Sequence, residues 1–550
     1  MAGINSKKTR QIPKRHFNYW PLLIILIIII MTALLRIPLL NVPLERDEGE
    51  YAYAGQLILQ GIWPYHAPSL YKYKMPGAYF IYAIILALFG QTPVAIHTGL
   101  LLANLAAIIV LFLLTRKLFG HIAALTAAAA YSILSISPSV LGIFAHSEHF
   151  VVLAALAGIL LLLESIDSYR WPKLFAAGAL LGSAFVIRQH AAAFILFAAL
   201  YFLYTELKKK SLSLKCLLSK GLLFCAGLAV PFFVTCAIFL AVGVFDRFWF
   251  WTFIYARKYL SMLPFSVGIN MFRLTAIPMI ASSPLLWILA AIGFIALLCS
   301  RKIRMLIPFT LGFLAFSFLA VCPGLYFREH YFIFLLPAVA LLIGIAVDST
   351  AQLLSKFNFF LPGKAFAILF ILIALYQSFY NQYSFLFQRD LNRLSRMTYG
   401  PNPFPESLNI AAYIKENSSK NDSVAILGSE PQILFYAQRH SATGYTDTYE
   451  MMKKHDYALQ MQKEMIQEIE QARPRFLVFV NVLASWVHQP DSKTLIFDWF
   501  RKYQSKYYQQ VGVVDIISNT STVYLWNEQS VGYTPKSEYW ISVFKRKNNL

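Results

Sequence analysis

An apolar run and the charged segment behind it decide the fold: PLLIILIIIIMTALLRIPLL (residues 21–40) leads into PLERDEGEYAYAGQLILQG (residues 43–61). The run is long enough to cross roughly 30 Å of hydrocarbon. Its length, with no small-residue cleavage site after it, predicts an uncleaved anchor. The basic residues before it predict a cytoplasmic N-terminus over 1–19, so that Asp47 and Glu48 emerge on the outer side.

Composition places the chain in the membrane class. Of its 550 residues, 58% are hydrophobic and 14% are charged, which is too apolar for a soluble globular protein. Apolar runs recur as far as residue 384, and polar residues return after residue 388. We therefore predict a polytopic α-helical membrane domain over 20–387 and an extracytoplasmic mixed α/β domain over 388–550.

Within the second domain, the periodicity of apolar residues predicts three helices and three strands. The predicted helices cover 407–418, 430–438 and 457–472, and the predicted strands cover 423–428, 475–483 and 521–527. No glycine-rich phosphate loop follows a strand, so we do not expect a nucleotide-sugar donor to bind there.

Loop charges predict eleven to thirteen membrane spans. Basic residues gather in short loops between alternate apolar runs, which accounts for much of the net charge of +21 without nucleic acid as a partner. The apolar stretch 78–89 reaches only about 18 Å as a helix. It is predicted to lie at the outer interface, within an outer loop over 41–92. Residues 245–282 are predicted to form a second long outer loop.

This topology gathers unusual polar residues at the outer ends of the spans. They fall in five clusters: Arg46, Asp47, Glu48 and Glu50; the region from Lys72 to Lys74; His146, Glu148 and His149; Arg188 and His190; and Arg328, Glu329 and His330. A charge at the end of a span is costly unless it is paired or faces a wet cavity. Such a set suits transfer from a sugar-phosphate lipid, where cations stabilise the leaving phosphate and a carboxylate takes the acceptor proton.

Several of these residues also have a purely structural interpretation. Asp47 and Glu48 can cap an interfacial helix over 49–60, and Lys74 can extend from the interface to water. His146 and His149 are read as polar loop residues, so no metal ligand is predicted. No cofactor is predicted with certainty, and a divalent cation stays open.

The order of segments resembles the GT-C glycosyltransferases. RDEGEYAYAGQLILQG (46–61) followed by KMPGAYFIYAIILALFG (74–90) is similar to the first outer loop of the branch that contains protein O-mannosyltransferases and bacterial aminoarabinose (lipid A) transferases. FAHSEHF (144–150), GALLGSAFVIRQH (178–190) and FREHYFIFLLPAVALLIGIA (327–346) resemble later segments of that branch.

The resemblance implies roles for individual residues. Asp47 is expected to be the catalytic carboxylate with Glu48 as its neighbour, and Lys74 is expected to contact the donor phosphate. Glu148 is expected to hold donor or acceptor, and further phosphate contacts are expected from Arg188 and from Arg328 or His330. The chain departs from the pattern at two positions: Met75 replaces a proline after the lysine, and Tyr73 replaces an acidic residue before it.

The predicted function is an inverting glycosyltransferase that moves a sugar from a polyprenyl-phosphate donor to a lipid, glycan or protein acceptor. Its predicted location is the bacterial cytoplasmic membrane, with the active site facing the periplasm or the exterior. Two alternatives stay open, a flippase for lipid-linked saccharides and an enzyme of the O-antigen ligase or polymerase type. A transporter is expected to show inverted repeats and charges near mid-bilayer, and neither is visible in the sequence.

Overall fold

The computed structural model describes residues 19–66, 70–167, 170–209, 213–356 and 362–547. Nearly all of the predicted cytoplasmic N-terminus, 1–18, lies outside the described residues. The first part of the chain is helical. Its helices are α1 (Trp20–Arg36), α2 (Arg46–Leu59), α3 (Gly77–Phe89), α4 (Pro93–Phe119), α5 (His121–Leu134), α6 (Ser147–Asp167), α7 (Trp171–Ile187), α8 (Ala192–Leu207), α9 (Leu214–Ala241), α10 (Phe245–Trp249), α11 (Ala256–Leu260), α12 (Phe265–Ser282), α13 (Pro284–Cys299), α14 (Ile307–Val321), α15 (Leu336–Leu354) and α16 (Gly363–Asn381).

The C-terminal part contains the remaining elements. They are α17 (Tyr383–Leu386), α18 (Leu391–Tyr399), α19 (Phe404–Glu416), β1 (Ser423–Leu427), α20 (Gln432–Ala437), β2 (His440–Ser441), α21 (Tyr449–Met452), α22 (Ala458–Ala472), β3 (Phe476–Asn481), α23 (Leu483–Trp486), α24 (Leu495–Tyr507), β4 (Tyr508–Ser518), β5 (Ser521–Trp526) and β6 (Trp540–Arg546). The chain is thus a helical membrane domain followed by a sheet domain, as predicted.

Length and apolar composition let nine of the described helices cross a membrane, and four shorter apolar helices accompany them. We call the side on which the C-terminal domain sits the domain face, and the opposite side the basic face. Of these thirteen helices, α3 and α12 keep both ends on the domain face by the contacts described below. That leaves eleven helices among the described residues that can run between the two faces. This number lies within the predicted range.

Helix α3 stays on the domain face, as the sequence predicted. At 13 residues it reaches about 20 Å, less than the hydrocarbon thickness. Gly77, at its start, lies against the backbone of Val186 and Ile187 at the end of α7. Beyond its end, Gln91 accepts a hydrogen bond from Gln56 of α2 at 2.8 Å. Both ends therefore lie on the same face.

Helix α12 is long and apolar enough to cross, yet its contacts keep it on the domain face. The Thr275 hydroxyl donates to the Phe327 carbonyl at 2.8 Å, and the Ser282 hydroxyl lies 3.3 Å from that of Ser139, in the turn that follows α5. The next residue, Ser283, bonds to Ser378 near the end of α16 at 2.6 Å. The segment 245–282, predicted to be an outer loop, thus lies on the domain face, and it is helical rather than a loop.

A six-stranded sheet organises the C-terminal domain, in the order β2-β1-β3-β6-β4-β5. β1 pairs in parallel with β2 and β3, whereas the pairs β3–β6, β6–β4 and β4–β5 are antiparallel. Side chains of β1 alternate between two cores: Val424 and Ile426 join the core of α19 and α20, and Ala425 and Leu427 join that of α22. The sheet therefore lies between two helical layers. Strands β4 and β6 and helix α24 were not in the sequence prediction.

Candidate active site

Helix α2 begins with its own side-chain cap. The Glu45 carboxylate accepts a hydrogen bond from the Glu48 backbone N–H at 2.8 Å, and the Glu48 carboxylate accepts one from the Glu45 N–H at 3.2 Å. This reciprocal arrangement, a capping box, fixes the start of the helix. The capping role considered for Asp47 falls to Glu45, which leaves the Asp47 carboxylate in the first turn for other partners.

Glu48 ties α2 to two neighbouring segments. Its side chain is fully buried, and Oε1 accepts a hydrogen bond from the Ala145 backbone N–H and lies 2.9 Å from Nε2 of His97. The other ring nitrogen of His97 lies 2.8 Å from the Leu40 carbonyl. With both carboxylate oxygens engaged by protein groups, Glu48 has the contacts of a positioning residue behind Asp47.

Asp47 and Lys74 form the centre of the site. The Lys74 ammonium donates to Asp47 Oδ1 at 2.8 Å and to Glu50 Oε2 at 3.1 Å, and it lies 4.5 Å from the ring centre of Tyr51. Burial raises the pKa of Asp47, but the ammonium outweighs burial and holds that pKa well below its usual value. Asp47 is therefore a carboxylate at neutral pH.

A second ion pair lies across the site. Arg188 Nη1 is 3.0 Å from Glu148 Oε1 and donates to the Ser147 hydroxyl at 2.9 Å. Its guanidinium lies 4.9 Å from the ring centre of Tyr331. Glu148 is fully buried. Because Glu148 opens α6 and Arg188 follows α7, the pair meets where these two spans reach the domain face.

Two histidines join the two ion pairs. The rings of His146 and His330 stack with centres 4.1 Å apart, and Nε2 of His330 lies 3.7 Å from Glu148 Oε1. One oxygen of Asp47 and one nitrogen of each histidine all lie within 4.8 Å of one another. Burial lowers the pKa of His146 to about 4, so its imidazole is neutral at neutral pH.

Arg328 lies beside this network. Its guanidinium is 5.9 Å from the ring centre of Tyr326, and no ion pair to it is found among the described residues. The ring of Tyr326 stacks on that of Tyr259, and the ring of Tyr259 stacks in turn on that of Tyr73. The ring centres are 4.6 Å apart in the first pair and 4.4 Å apart in the second. Arg328 is therefore a partly exposed cation whose charge no described carboxylate neutralises directly.

A cavity of about 510 Å³ opens beside these groups. Lys74, Ser147 and Arg188 line its polar side. The rest of its wall is largely apolar and aromatic, and includes Phe185, Ile187, Phe253, Leu260 and Pro323. A cavity with cations on one side and an apolar remainder suits an amphiphile with an anionic group attached to a hydrocarbon chain.

The C-terminal domain holds α2 directly. The Arg46 guanidinium pairs with Glu430 at 2.6 Å, donates to Asn402 at 3.0 Å and also bonds to Tyr449 and the Ser429 carbonyl. Asp47 directly follows Arg46 in the chain, so this contact between the domains lies next to the centre of the site.

Two further contacts join the domains near the site. A Cβ atom placed on Gly49 would lie 2.6 Å from the Gln432 backbone nitrogen, so only glycine lets α20 pack this closely on α2. In the segment before α3, Lys72 pairs with Asp447 and lies 3.5 Å from Glu50. The loop that carries Lys74 is thus fixed by both domains.

The structure brings most of the predicted site residues together. Asp47, Lys74, Glu148, Arg188 and His330 form one connected network, Arg328 borders it, and Glu48 lies behind it. Glu50 and His146 belong to the predicted clusters but were assigned no role in the site, and Tyr51 was not predicted there. The spacing of Glu50 already indicates a role, because three residues on from Asp47 is the same face of a helix.

Comparisons with known proteins agree with this fold. The profile of the family described as dolichyl-phosphate-mannose-protein mannosyltransferase matches residues 73–239. The crystal structure of ArnT from Cupriavidus metallidurans bound to undecaprenyl phosphate is similar to the chain at a TM-score of 0.59 and 14% identity, over 96% of this chain and 98% of that one. No curated protein matched in a comparison of sequences.

A more distant likeness is to the oligosaccharyltransferase of Archaeoglobus fulgidus tethered with an acceptor peptide. The TM-score is 0.50 and the identity 14%, over 93% of this chain and 74% of that one. The fold is therefore that of the GT-C membrane glycosyltransferases, and the predicted class, a multi-pass membrane glycosyltransferase, is confirmed. Within this class the chain is consistent with the branch of ArnT and the protein mannosyltransferases.

Proposed function

We propose that this protein transfers a sugar from a polyprenyl-phosphate donor to an acceptor outside the cytoplasm, by a single inverting displacement. The observation that carries the proposal is the meeting of Asp47, Lys74, Glu148 and Arg188 beside one cavity at the domain face. The basic loops on the opposite side support an orientation with that face outside the cytoplasm, and a bacterial cytoplasmic membrane is the location that we propose.

The cavity supports a lipid-phosphate donor. Lys74 and Arg188 line it with positive charge, and its apolar remainder can accept the first isoprenyl units of a lipid chain. Arg328, whose charge no described carboxylate neutralises, is available for the same phosphate. The ArnT of C. metallidurans binds undecaprenyl phosphate, which supports a donor of this kind here.

Asp47 is the base in the proposed step. As the acceptor hydroxyl oxygen bonds to the anomeric carbon, the bond from that carbon to the phosphate oxygen breaks, and the acceptor proton passes to the Asp47 carboxylate. The polyprenyl phosphate leaves as an anion that Lys74, Arg188 and Arg328 stabilise. Glu148 holds the Arg188 guanidinium in place through their ion pair at 3.0 Å.

Asp47, His146 and His330 can also hold a divalent cation. Their ligand atoms lie within 4.8 Å of one another, and neither nitrogen of His146 has a hydrogen-bond partner among the described residues. A cation bound there would add positive charge next to the leaving phosphate. Lys74, hydrogen-bonded to Asp47 at 2.8 Å, already supplies one positive charge at the same carboxylate.

The proposal is tested with purified protein, a panel of radiolabelled polyprenyl-phosphate sugars and envelope extracts. Asp47→Asn keeps the shape of the side chain but removes the base, so transfer is expected to fall by a factor of about 100 or more while donor binding persists. Asp246→Asn, at an exposed position of α10, is the matched control. Wild-type transfer rates in Asp47→Asn contradict the assignment of the base.

A further inference from the structure

Helix α22 presents one face made only of amide and carboxylate side chains. These residues recur at helical spacing along a single stripe: Gln460, Glu464, Gln467, Glu468 and Gln471. The adjoining face, with Met461, Met465 and Ile469, is buried in the core beneath the sheet, and Met461 also borders the same cavity. The buried face accounts for the fold of the helix, but it does not explain why the stripe lacks lysine and arginine.

An aromatic wall stands opposite this stripe. Tyr71, Phe250, Trp251, Tyr445 and Tyr457 line a cavity of about 410 Å³ together with the stripe. Tyr71, Phe250 and Tyr457 are partly exposed. The rings are held in place by one another, since Phe250 meets Tyr457 edge-on at 5.4 Å and Tyr71 meets Tyr445 edge-on at 5.2 Å. We call this cavity the aromatic cleft.

The polar groups of the cleft are of two kinds. Glu468 is fixed, because it accepts hydrogen bonds from the hydroxyls of Tyr71 at 2.9 Å and Thr443 at 2.6 Å. Glu464 accepts one from the Tyr445 hydroxyl at 2.5 Å. Gln467 and Gln471, by contrast, make no side-chain hydrogen bond to any described residue. The cleft thus offers free amides, donors as well as acceptors, beside fixed aromatic rings.

This combination matches the two kinds of surface on a sugar ring. The C–H face of a pyranose packs against an aromatic ring, and its hydroxyls bond to amides and carboxylates that donate and accept. The charge of the cleft argues against an anionic ligand, since two carboxylates face a single cation, Arg247. A neutral or amino sugar is therefore favoured over a phosphorylated group.

The aromatic cleft shares walls with the donor cavity. Phe250 and Trp251 line the cleft, while the next residues of the same helical turn, Thr252 and Phe253, line the donor cavity. Tyr71 likewise lies in the cleft, three residues before Lys74. A ligand in the cleft is thus adjacent to the proposed site of transfer, on the side formed by the C-terminal domain.

We propose that the aromatic cleft binds neutral sugar rings of the acceptor, which makes that acceptor a glycan or a glycan-bearing molecule. This inference rests on the proposed function in one respect, namely that the bound sugar belongs to the acceptor of the transfer reaction. Binding of sugar by the cleft can still be measured without transfer. The free amides of Gln467 and Gln471 and the rings of Phe250 and Tyr457 are the groups assigned to contact the sugar.

The test measures binding of neutral oligosaccharides to full-length protein in detergent micelles, with labelled mannohexaose, maltohexaose and chitopentaose as probes and a serine-rich peptide as the non-carbohydrate probe. Gln467→Ala is the main variant, because the residue is exposed and alanine favours the helix. Loss of its hydrogen bonds is expected to weaken binding by roughly fivefold to tenfold. Phe250→Leu, which removes a ring face, is the second variant.

Gln504→Ala on α24 is the matched control, since this glutamine is partly exposed and lies outside the cleft, and the substitution is expected to leave binding unchanged. Asp47→Asn is expected to bind the probes as tightly as the wild type, which separates this test from the test of the transfer reaction. Two results overturn the proposal: no oligosaccharide binds the wild type more tightly than the peptide does, or Gln467→Ala and Phe250→Leu both bind like the wild type.

Discussion

Glu430→Gln is expected to loosen the C-terminal domain from the helix that carries Asp47. In the native protein the Glu430 carboxylate lies 2.6 Å from the Arg46 guanidinium, and neither group has an alternative partner of opposite charge within 4.0 Å among the described residues. The substitution keeps the size of the side chain and one hydrogen-bond acceptor. It leaves the buried guanidinium without a counter-charge.

The structure sets the size of this effect. The Glu430 side chain is fully buried and that of Arg46 is 10% exposed, so solvent screens the pair very little. Removing one partner of a buried ion pair costs about 3–5 kcal/mol, and the retained hydrogen bond favours the lower end. For a domain of about 150 residues, about 3 kcal/mol lowers the melting temperature by roughly 6–12 °C.

Differential scanning fluorimetry of the purified protein measures this shift, and limited proteolysis reports whether the C-terminal domain is released. Because Arg46 precedes Asp47, we also expect kcat to fall by as much as about a hundredfold, through misplacement of the carboxylate. Glu416→Gln, at an exposed acid of the same domain, is the control for the loss of one negative charge.

A double-mutant cycle with Arg46→Met decides whether the pair itself is responsible. When both charges are removed, the unpaired guanidinium is gone as well, so the double variant is expected to be less destabilised than the sum of the two single variants. A melting temperature for Glu430→Gln within the range of Glu416→Gln would refute the reasoning. Strictly additive effects in the cycle would refute it too.

Three further predictions concern the site and the domain contact. Arg188→Lys keeps the charge but loses the planar guanidinium and its hydrogen bond to Ser147, so kcat/KM is expected to fall roughly tenfold. The measurement uses the most active donor of the panel. A wild-type value of kcat/KM would exclude Arg188 as a phosphate contact. Chelation is expected to remove any metal that the cluster of Asp47, His146 and His330 holds, and elemental analysis measures the metal content directly. If metal is found, His146→Ala is expected to lower that content. An unchanged metal content contradicts binding at this cluster. Burial raises the pKa of Asp447, but its partners, chiefly Lys72, keep that pKa below its usual value. The Lys72–Asp447 ion pair therefore stabilises the domain contact above the unfolded pKa of Asp447. This stabilisation is lost only as the pH falls through the lower folded value. We accordingly expect the domain contact to resist proteolysis at pH 5 in the wild type, and to be weaker at that pH in Lys72→Met, whereas equal resistance would contradict the assignment.

Much of the membrane domain could be predicted because hydrophobic length and loop charge are local properties. The apolar helix 20–36 and the short helix 77–89, which is too short to span, both follow from a few adjacent residues. Segment 245–282 shows the limit of such reasoning. Helix α12 satisfies the length and composition of a span, and only its contacts with distant residues keep it on one face.

The sheet domain shows the same division. β1 and β3 are short apolar runs that can be recognised alone. β4, in contrast, contains Gln509, Gln510 and Gly512, and its pairing with β6 shifts register between the last two. Its place in the sheet depends on the partner strand rather than on its own pattern.

In the site, the sequence was enough to gather these charged residues at one set of span ends, because span length and loop charge are local properties. Their contacts with one another became visible only in the folded structure. Glu48 caps and braces α2, Lys74 bonds to Asp47, and Arg46 is held by a residue 384 positions further along the chain. Such pairings depend on distances across the fold, and no local pattern of residues encodes them.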